Sequence, residues 1–251
     1  SQAALATLLS FFDRQIAPEE IAVAVPTLKD EVGEEIGSIN IQLATWCLSL
    51  GYTVDLYSAD FQLLDLSWRE LSSETLLSKI GAAKKHRIIP ALGEHLSQQY
   101  LRAYHDFVTA GGRLHIVPFM NTALIDQLLI KSPLLLCING NILHTSGRTT
   151  DVSLRKSIPD DIHGGLTNHS VTLYGRTDDG QYLLSDPWRT PCEQTIEPEQ
   201  LLAAMTAAQM ECDNFFFQLT LRLLYLKKSE SVFSFNFEIL NGMVNAEAED
   251  G

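Results

Sequence analysis

Two alternating segments joined by a short turn constrain this chain more than any other feature of its sequence. Residues 169–175 (HSVTLYG) and 181–186 (QYLLSD) alternate in the way of half-buried β-strands. The TDDG segment at 177–180 separates them, and its Asp-Gly pair is a strong signal for a tight hairpin turn. The sequence therefore predicts an antiparallel β-hairpin that spans residues 169–186.

This hairpin brings an imidazole close to a carboxylate. His169 begins the first strand and Asp186 ends the second, and antiparallel neighbours lie about 4.5–5.5 Å apart. A carboxylate that accepts from one imidazole nitrogen leaves the other nitrogen to take a proton from a thiol or hydroxyl, as in nucleophilic catalysis. A structural pair that only closes the hairpin would have the same spacing, so spacing alone leaves both interpretations open.

The remaining pattern mixes helical and strand periods, which indicates one α+β domain over residues 1–226. Residues 61–110 are predicted to form a helical insertion, and residues 139–165 a long polar loop without apolar periodicity. Residues 227–251 are predicted to form a C-terminal strand and an acidic tail. Further helices are expected at 5–12, from 17, at 38–50, 121–130 and 197–210, and strands at 52–57, 114–117, 133–139 and 215–225.

Charge and composition exclude several classes of partner. The formal net charge of −13 repels phosphate backbones and anionic lipid surfaces, so we expect no nucleic-acid partner. No apolar stretch approaches the ~20 residues that cross a bilayer. The cysteines lack a Cys-x-x-Cys pair and are expected to be reduced, which indicates a cytoplasmic protein. They are Cys47, Cys137, Cys192 and Cys212.

Several potential metal ligands lie between residue 144 and the first residue of the hairpin. They are His144, His163 and His169 with Asp160 and Asp161. Their spacing lacks the one-turn separation of two histidines on a helix, and a polar loop explains His144 and His163 more simply. We therefore predict no metal ion and no cofactor.

Motifs at both ends of the chain resemble one known family. Residues 168–175 (NHSVTLYG) and 182–188 (YLLSDPW) are similar to a His-hydrophobic-Gly signature followed by Asp-Pro, and residues 3–12 (AALATLLSFF) to the run that follows a catalytic Cys. This pattern resembles the bacteriocin-leader-processing, peptidase C39-like branch of the papain-like cysteine peptidases. Ser1 and Gln2 then stand where that family has Gly and Pro.

The resemblance implies a papain-like fold, with the N-terminal helix packed on an antiparallel sheet. It implies that His169 is the base, that Asp186 is its orienting acid, and that the nucleophile is a Cys just before Ser1. A helix dipole and an imidazolium would lower the pKa of a thiol placed there. The start of the chain has no basic segment of the signal-peptide kind and enters an apolar repeat at once, so we expect further residues upstream. They would include the family's oxyanion-hole Gln.

The implied function is cleavage of a peptide or related amide bond in a peptide or protein substrate, while the oligomeric state stays open. Three alternatives remain: a peptide-binding pseudopeptidase, a thiol acyltransferase, and a small-molecule enzyme that uses the 139–165 loop as a lid. Other nucleophiles are weaker candidates. Cys192 is expected to be the most exposed thiol, Cys47 and Cys137 lie in apolar segments, and Ser1 would require the motif alignment to slip by one position.

Overall fold

The computed structural model describes residues 1–29, 35–90, 92–153, 156–208 and 215–221. Its helices are α1 (Gln2–Ser10), α2 (Pro18–Ala24), α3 (Asn40–Ser49), α4 (Ser73–His86), α5 (Gly93–Thr109), α6 (Thr122–Leu129), α7 (Gly140–Leu143) and α8 (Pro198–Ala208). Its strands are β1 (Leu28–Lys29), β2 (Glu35–Gly37), β3 (Tyr52–Ser58), β4 (Arg113–Ile116), β5 (Leu134–Asn139), β6 (Thr149–Ser153), β7 (Lys156–Pro159), β8 (Asn168–Arg176), β9 (Tyr182–Ser185), β10 (Glu193–Ile196) and β11 (Phe215–Leu221).

The fold is α+β and centres on a seven-stranded sheet with the order β10-β9-β8-β5-β11-β3-β4. The strands pair antiparallel except β3 and β4, which run parallel. The prediction of an antiparallel sheet is therefore wrong at this edge. A parallel pair needs a long crossover, and the crossover is supplied by α4 and α5 within the predicted helical insertion at 61–110.

Helices cover both faces of the sheet, which explains why β5 is buried along its whole length. On one face, Leu135 and Cys137 belong to the core cluster that includes side chains of α1 to α5. On the other face, Leu134, Leu136 and Ile138 pack with side chains of α6 and α8. Alternate residues of β5 thus enter two different cores, as the period of a strand requires.

The N-terminal helix lies against the part of the sheet that carries the hairpin. Leu5, Leu8 and Leu9 of α1 are fully buried. The helix also accepts a hydrogen bond at the carbonyl of Ala4 from Thr172 Oγ1 in β8, at 2.7 Å. This contact fixes the first turn of α1 against β8, the strand that carries the predicted base His169.

The predicted hairpin is confirmed as β8 and β9. Its register pairs Thr172 with Ser185. In the turn, Gly180 has a φ of 93°, a conformation that favours glycine, and its N–H donates to the carbonyl of Thr177 at 3.0 Å. The predicted start of the 121–130 helix is also confirmed, because Asn121 Oδ1 accepts from the backbone N–H at the third helical position of α6.

Three local predictions need correction. Residues 139–165 are not a loop throughout, because they contain α7 and the β6–β7 pair. The sequence did not predict β10, a strand of mostly polar residues that pairs with β9. The helix predicted from residue 38 begins only after Ile39, and the Ser38 hydroxyl does not cap it but accepts from Gln2 Nε2 at 2.7 Å.

Two expectations concern the ends of the chain and the membrane. The predicted strand and acidic tail at 227–251 lie outside the described residues. Within the described ranges, every helix is too short or too polar to cross a bilayer.

Candidate active site

His169 and Asp186 meet at the open end of the hairpin, as predicted. Their closest atoms, Nε2 of His169 and Oδ1 of Asp186, are 2.6 Å apart, and the two side chains are 2% and 0% exposed. Because an ionised carboxylate can only accept, Nε2 of His169 carries the proton. Nδ1 is then the nitrogen that can take a proton from another group.

The Asp186-Pro187-Trp188 segment folds into a turn that holds the carboxylate. Asp186 Oδ1 also accepts from the Trp188 N–H at 2.8 Å, and the Asp186 carbonyl accepts from the Arg189 N–H at 3.1 Å. A side chain that accepts from the backbone two residues later is typical of aspartate in turns. The turn places the Trp188 ring on the His169 ring, with a centroid separation of 3.7 Å and an interplanar angle of 20°. The imidazole is thus fixed by a hydrogen bond at one edge and by stacking on one face.

His144 is a third member of the site, which the sequence analysis missed by assigning it to a polar loop. Its Nε2 lies 3.0 Å from Asp186 Oδ2, the carboxylate oxygen that His169 does not use. The separation suits a hydrogen bond, but the two groups are not aligned for one, and neither atom has another hydrogen-bond partner within the described residues. The contact is therefore a close electrostatic one. On its other side, His144 Nδ1 accepts from Arg189 Nε at 3.1 Å.

Burial sets the charge state of this group. Burial lowers the pKa of His169, although the hydrogen bond that His169 donates to Asp186 opposes the effect, and burial likewise lowers the pKa of His144. Burial raises the pKa of Asp186, but the hydrogen bonds from His169 and Trp188 and the charges of the two imidazoles outweigh it, so the pKa lies below its usual value. At neutral pH the site therefore holds one carboxylate between two neutral imidazoles.

The start of α1 reaches the same site. Ser1 Oγ lies 3.0 Å from Ser170 Oγ, and Asn40 Nδ2 donates to Ser170 Oγ and to Cys137 Sγ at 2.9 Å each. Burial lowers the pKa of the Ser1 amino group. The contact between the Ser1 and Ser170 hydroxyls places the start of α1 beside the start of β8, the strand that carries His169.

A pocket of about 280 Å³ opens at His144, and neither His169 nor Asp186 lines it. His144, Trp188 and Arg189 line it together with Gly140 and Thr167. A Cβ atom at Gly140 would lie 3.0 Å from the Trp188 ring and 3.3 Å from His169 Cβ, so only glycine fits without displacement of these groups. The close approach of α7 to the imidazole thus depends on Gly140.

The site also contains the donor types that a divalent metal ion prefers. One donor atom from each of His144, His169 and Asp186 lies within 4.8 Å of the others, and two imidazoles with a carboxylate suit zinc. Coordination through His144 Nε2 would require a proton on Nδ1, the atom that accepts from Arg189. It would also require His169 Nε2 to release its proton and its bond to Asp186. The contacts present thus favour the hydrogen-bonded arrangement.

The other residues considered from the sequence lie elsewhere or are already engaged. His163 is 83% exposed and lies 3.7 Å from Asp160. Cys192 is exposed as predicted, whereas Cys47 and Cys137 are buried. Burial raises the pKa of Cys47 to about 12, which makes this thiol a poor nucleophile. The Ser1 hydroxyl contacts Ser170 (described above) and so is not directed to the base.

Comparison with known proteins identifies no relative of this chain. No protein-family model, curated protein or solved structure matches the chain. The geometry of the site and the resemblance of the two sequence motifs therefore carry the function proposed below.

Proposed function

We propose that this chain forms the body of a papain-like cysteine peptidase of the C39-like kind, which cleaves a peptide or related amide bond. In this proposal the nucleophile is a Cys joined to the Ser1 backbone nitrogen. The alternative, a peptide-binding pseudopeptidase, would use the same cleft with another residue at that position.

One observation carries the proposal: Ser1 is packed against the start of β8, with its amino group buried and its hydroxyl 3.0 Å from that of Ser170, the residue after His169. A residue attached to the Ser1 nitrogen would begin near the part of β8 that carries His169. Only Nδ1 of His169 is left to accept its proton, because Nε2 binds Asp186. The proximity was expected from the motif resemblance alone, and it supports the same position for the nucleophile.

The start of α1 favours an anionic sulfur. The first backbone hydrogen bond within α1 runs from the Leu5 N–H to the Ser1 carbonyl, so the preceding N–H groups have no partner within the helix. The Ser1 side chain does not cap them, since its hydroxyl contacts Ser170. Such N–H groups and the helix dipole stabilise a thiolate, and they can also stabilise the oxyanion of a tetrahedral intermediate.

The reaction then uses the described residues in two steps. His169 Nδ1 takes the thiol proton, and the sulfur attacks the carbonyl carbon of the substrate. The imidazolium then gives that proton to the nitrogen of the leaving amine as the carbon–nitrogen bond breaks, which leaves the acyl group on sulfur. His169 takes a proton from a water molecule that attacks the acyl carbon, and the carbon–sulfur bond breaks to release the acid and the thiol. Asp186 keeps the proton on Nε2 and stabilises the imidazolium. Transfer of the acyl group to an amine instead of water uses the same groups, so acyl transfer is the second reaction class compatible with the site.

The residue before Ser1 in the complete reading frame is the first test. A Cys there supports the peptidase, and any other residue excludes the proposed nucleophile. If a Cys is present, we expect iodoacetamide to label it faster than a free thiol, and His169→Ala to slow that labelling.

Two controls make this labelling specific. Cys192→Ser and Cys212→Ser remove an exposed thiol and a thiol outside the described residues. His163→Ala removes an exposed imidazole and should leave the labelling rate unchanged. Equal rates in the His169→Ala variant and the parent would contradict the thiol–imidazole pair.

A further inference from the structure

His144 is held in place by a set of contacts that a surface loop residue would not need. Asn139 Oδ1 caps α7 by accepting from the Ile142 N–H at 3.0 Å, and Gln200 of α8 donates to the Leu143 carbonyl at 2.9 Å. The His144 N–H then closes the last turn of α7 by donating to the carbonyl of Gly140 at 3.0 Å. These contacts fix the backbone of His144, whose side chain is only 13% exposed.

Arg189 determines which nitrogen of His144 carries the proton. Because Arg189 Nε donates to His144 Nδ1, a neutral His144 must carry its proton on Nε2. This N–H lies beside Asp186 Oδ2, a fully buried carboxylate oxygen without another partner in the described part of the chain. The partial positive charge on Nε2–H is therefore what offsets the burial of that oxygen.

We propose that His144 is a positioning residue that acts on the base through Asp186. By holding Oδ2, it keeps Oδ1 directed at His169 and so fixes His169 as the tautomer with its proton on Nε2. Arg189, His144, Asp186 and His169 then form one chain of contacts that ends at His169 Nδ1. The catalytic meaning of this role rests on the proposed function, but the orientation itself can be measured without a nucleophile or substrate.

Two substitutions of similar size separate the proton donor from packing. His144→Gln retains an N–H donor at about the position of Nε2, whereas His144→Leu retains the volume without a donor. The measurement is long-range proton–nitrogen correlation NMR on protein labelled at the histidine ring nitrogens. A pH of about 8 keeps both imidazoles neutral, since it exceeds the ordinary imidazole pKa of about 6.5 and burial lowers the pKa of both rings.

We expect the parent protein to show the Nε2–H tautomer for both His144 and His169. The His169 ring proton should exchange slowly with water, as a buried, hydrogen-bonded proton does. His144→Leu should introduce the other tautomer of His169 and speed the exchange of its ring proton at least tenfold. His144→Gln should restore the pattern of the parent. His163→Gln, at an exposed imidazole, is the control that should change neither.

Several outcomes would overturn the assignment. A His169 spectrum in the His144→Leu variant that matches the parent would show that Asp186 needs no second partner. A proton on Nδ1 of His144 in the parent would also overturn it, and so would tight binding of Zn²⁺ that the His144→Leu variant abolishes. Absence of an upstream Cys would remove the proposed peptidase function and leave the tautomer result as it stands, so the two failures are distinguishable.

Discussion

Asp60 provides a quantitative test of how burial sets charge in this protein. The carboxylate follows β3, is fully buried, and neither oxygen makes a well-aligned hydrogen bond within the described residues. Burial raises its pKa to about 7, against smaller opposing effects of the peptide N–H groups of Leu63 and Gln62 and the charge of Arg87. In the unfolded chain the pKa returns to 3.8.

The raised pKa makes stability fall as the pH rises. Between the two pKa values the folded protein keeps a proton that the unfolded chain has lost, so the stability present below pH 3.8 is lost as the pH rises through about 7. Because one pKa unit corresponds to roughly 1.4 kcal/mol, this group lowers the free energy of unfolding by about 2–3 kcal/mol between about pH 5 and about pH 8. Asp60→Asn removes the titrating group and therefore that part of the pH dependence.

Urea unfolding of the parent and the Asp60→Asn variant at several pH values measures this difference. From about pH 5 to about pH 8, the free energy of unfolding of the variant should rise by about 2–3 kcal/mol relative to that of the parent. A constant cost of burying the amide does not change this difference. Asp161→Asn, at an exposed carboxylate, is the matched control. Its free energy of unfolding should change with pH as that of the parent does. If the free energy of unfolding of Asp60→Asn also changed with pH as that of the parent does, burial would not govern the ionisation of Asp60.

Two further substitutions test the packing around the site. Gly140→Ala should lower the free energy of unfolding by about 1–2 kcal/mol, because the added Cβ meets the Trp188 ring at 3.0 Å and His169 Cβ at 3.3 Å. An unchanged urea midpoint would show that these two side chains move aside without cost. Thr172→Val should cost about 1–2 kcal/mol in the same assay, because it removes the hydrogen bond to the Ala4 carbonyl; stability equal to that of the parent would mean that this bond does not hold α1 on the sheet.

The parts of the fold that were predictable are those with strong local chemistry. The Asp-Gly turn determines the β8–β9 hairpin, and with it the meeting of His169 and Asp186. Asn121 marks the start of α6 with its own side chain. Each of these features depends on residues close in the sequence, where period and turn preference are informative.

The parts that were missed depend on long-range packing. The parallel pairing of β3 with β4 follows from the path of α4 and α5, which residue periodicity does not specify. β10 lies at the edge of the sheet, and its mostly polar sequence lacks the apolar alternation that predicts a strand. His144 reaches Asp186 because α7 turns back after β5, and no spacing in the sequence reports that contact. The Asn139-Gly140 pair after a buried strand was the available signal, since Asn139 caps α7.

The pH dependence of alkylation tests the central claim most directly. It requires the chain with its upstream residues, and Cys192→Ser and Cys212→Ser to remove the exposed Cys192 thiol and the Cys212 thiol. An ordinary thiol has a pKa of about 8.5 and loses its reactivity with iodoacetamide as the pH falls below that value. If His169 and α1 stabilise a thiolate at the residue before Ser1, its alkylation should stay fast to about pH 6, well below the ordinary thiol pKa, and His169→Ala should return the profile to that of a free thiol. An ordinary profile in the parent, unchanged in the His169→Ala variant, would contradict the proposed active site.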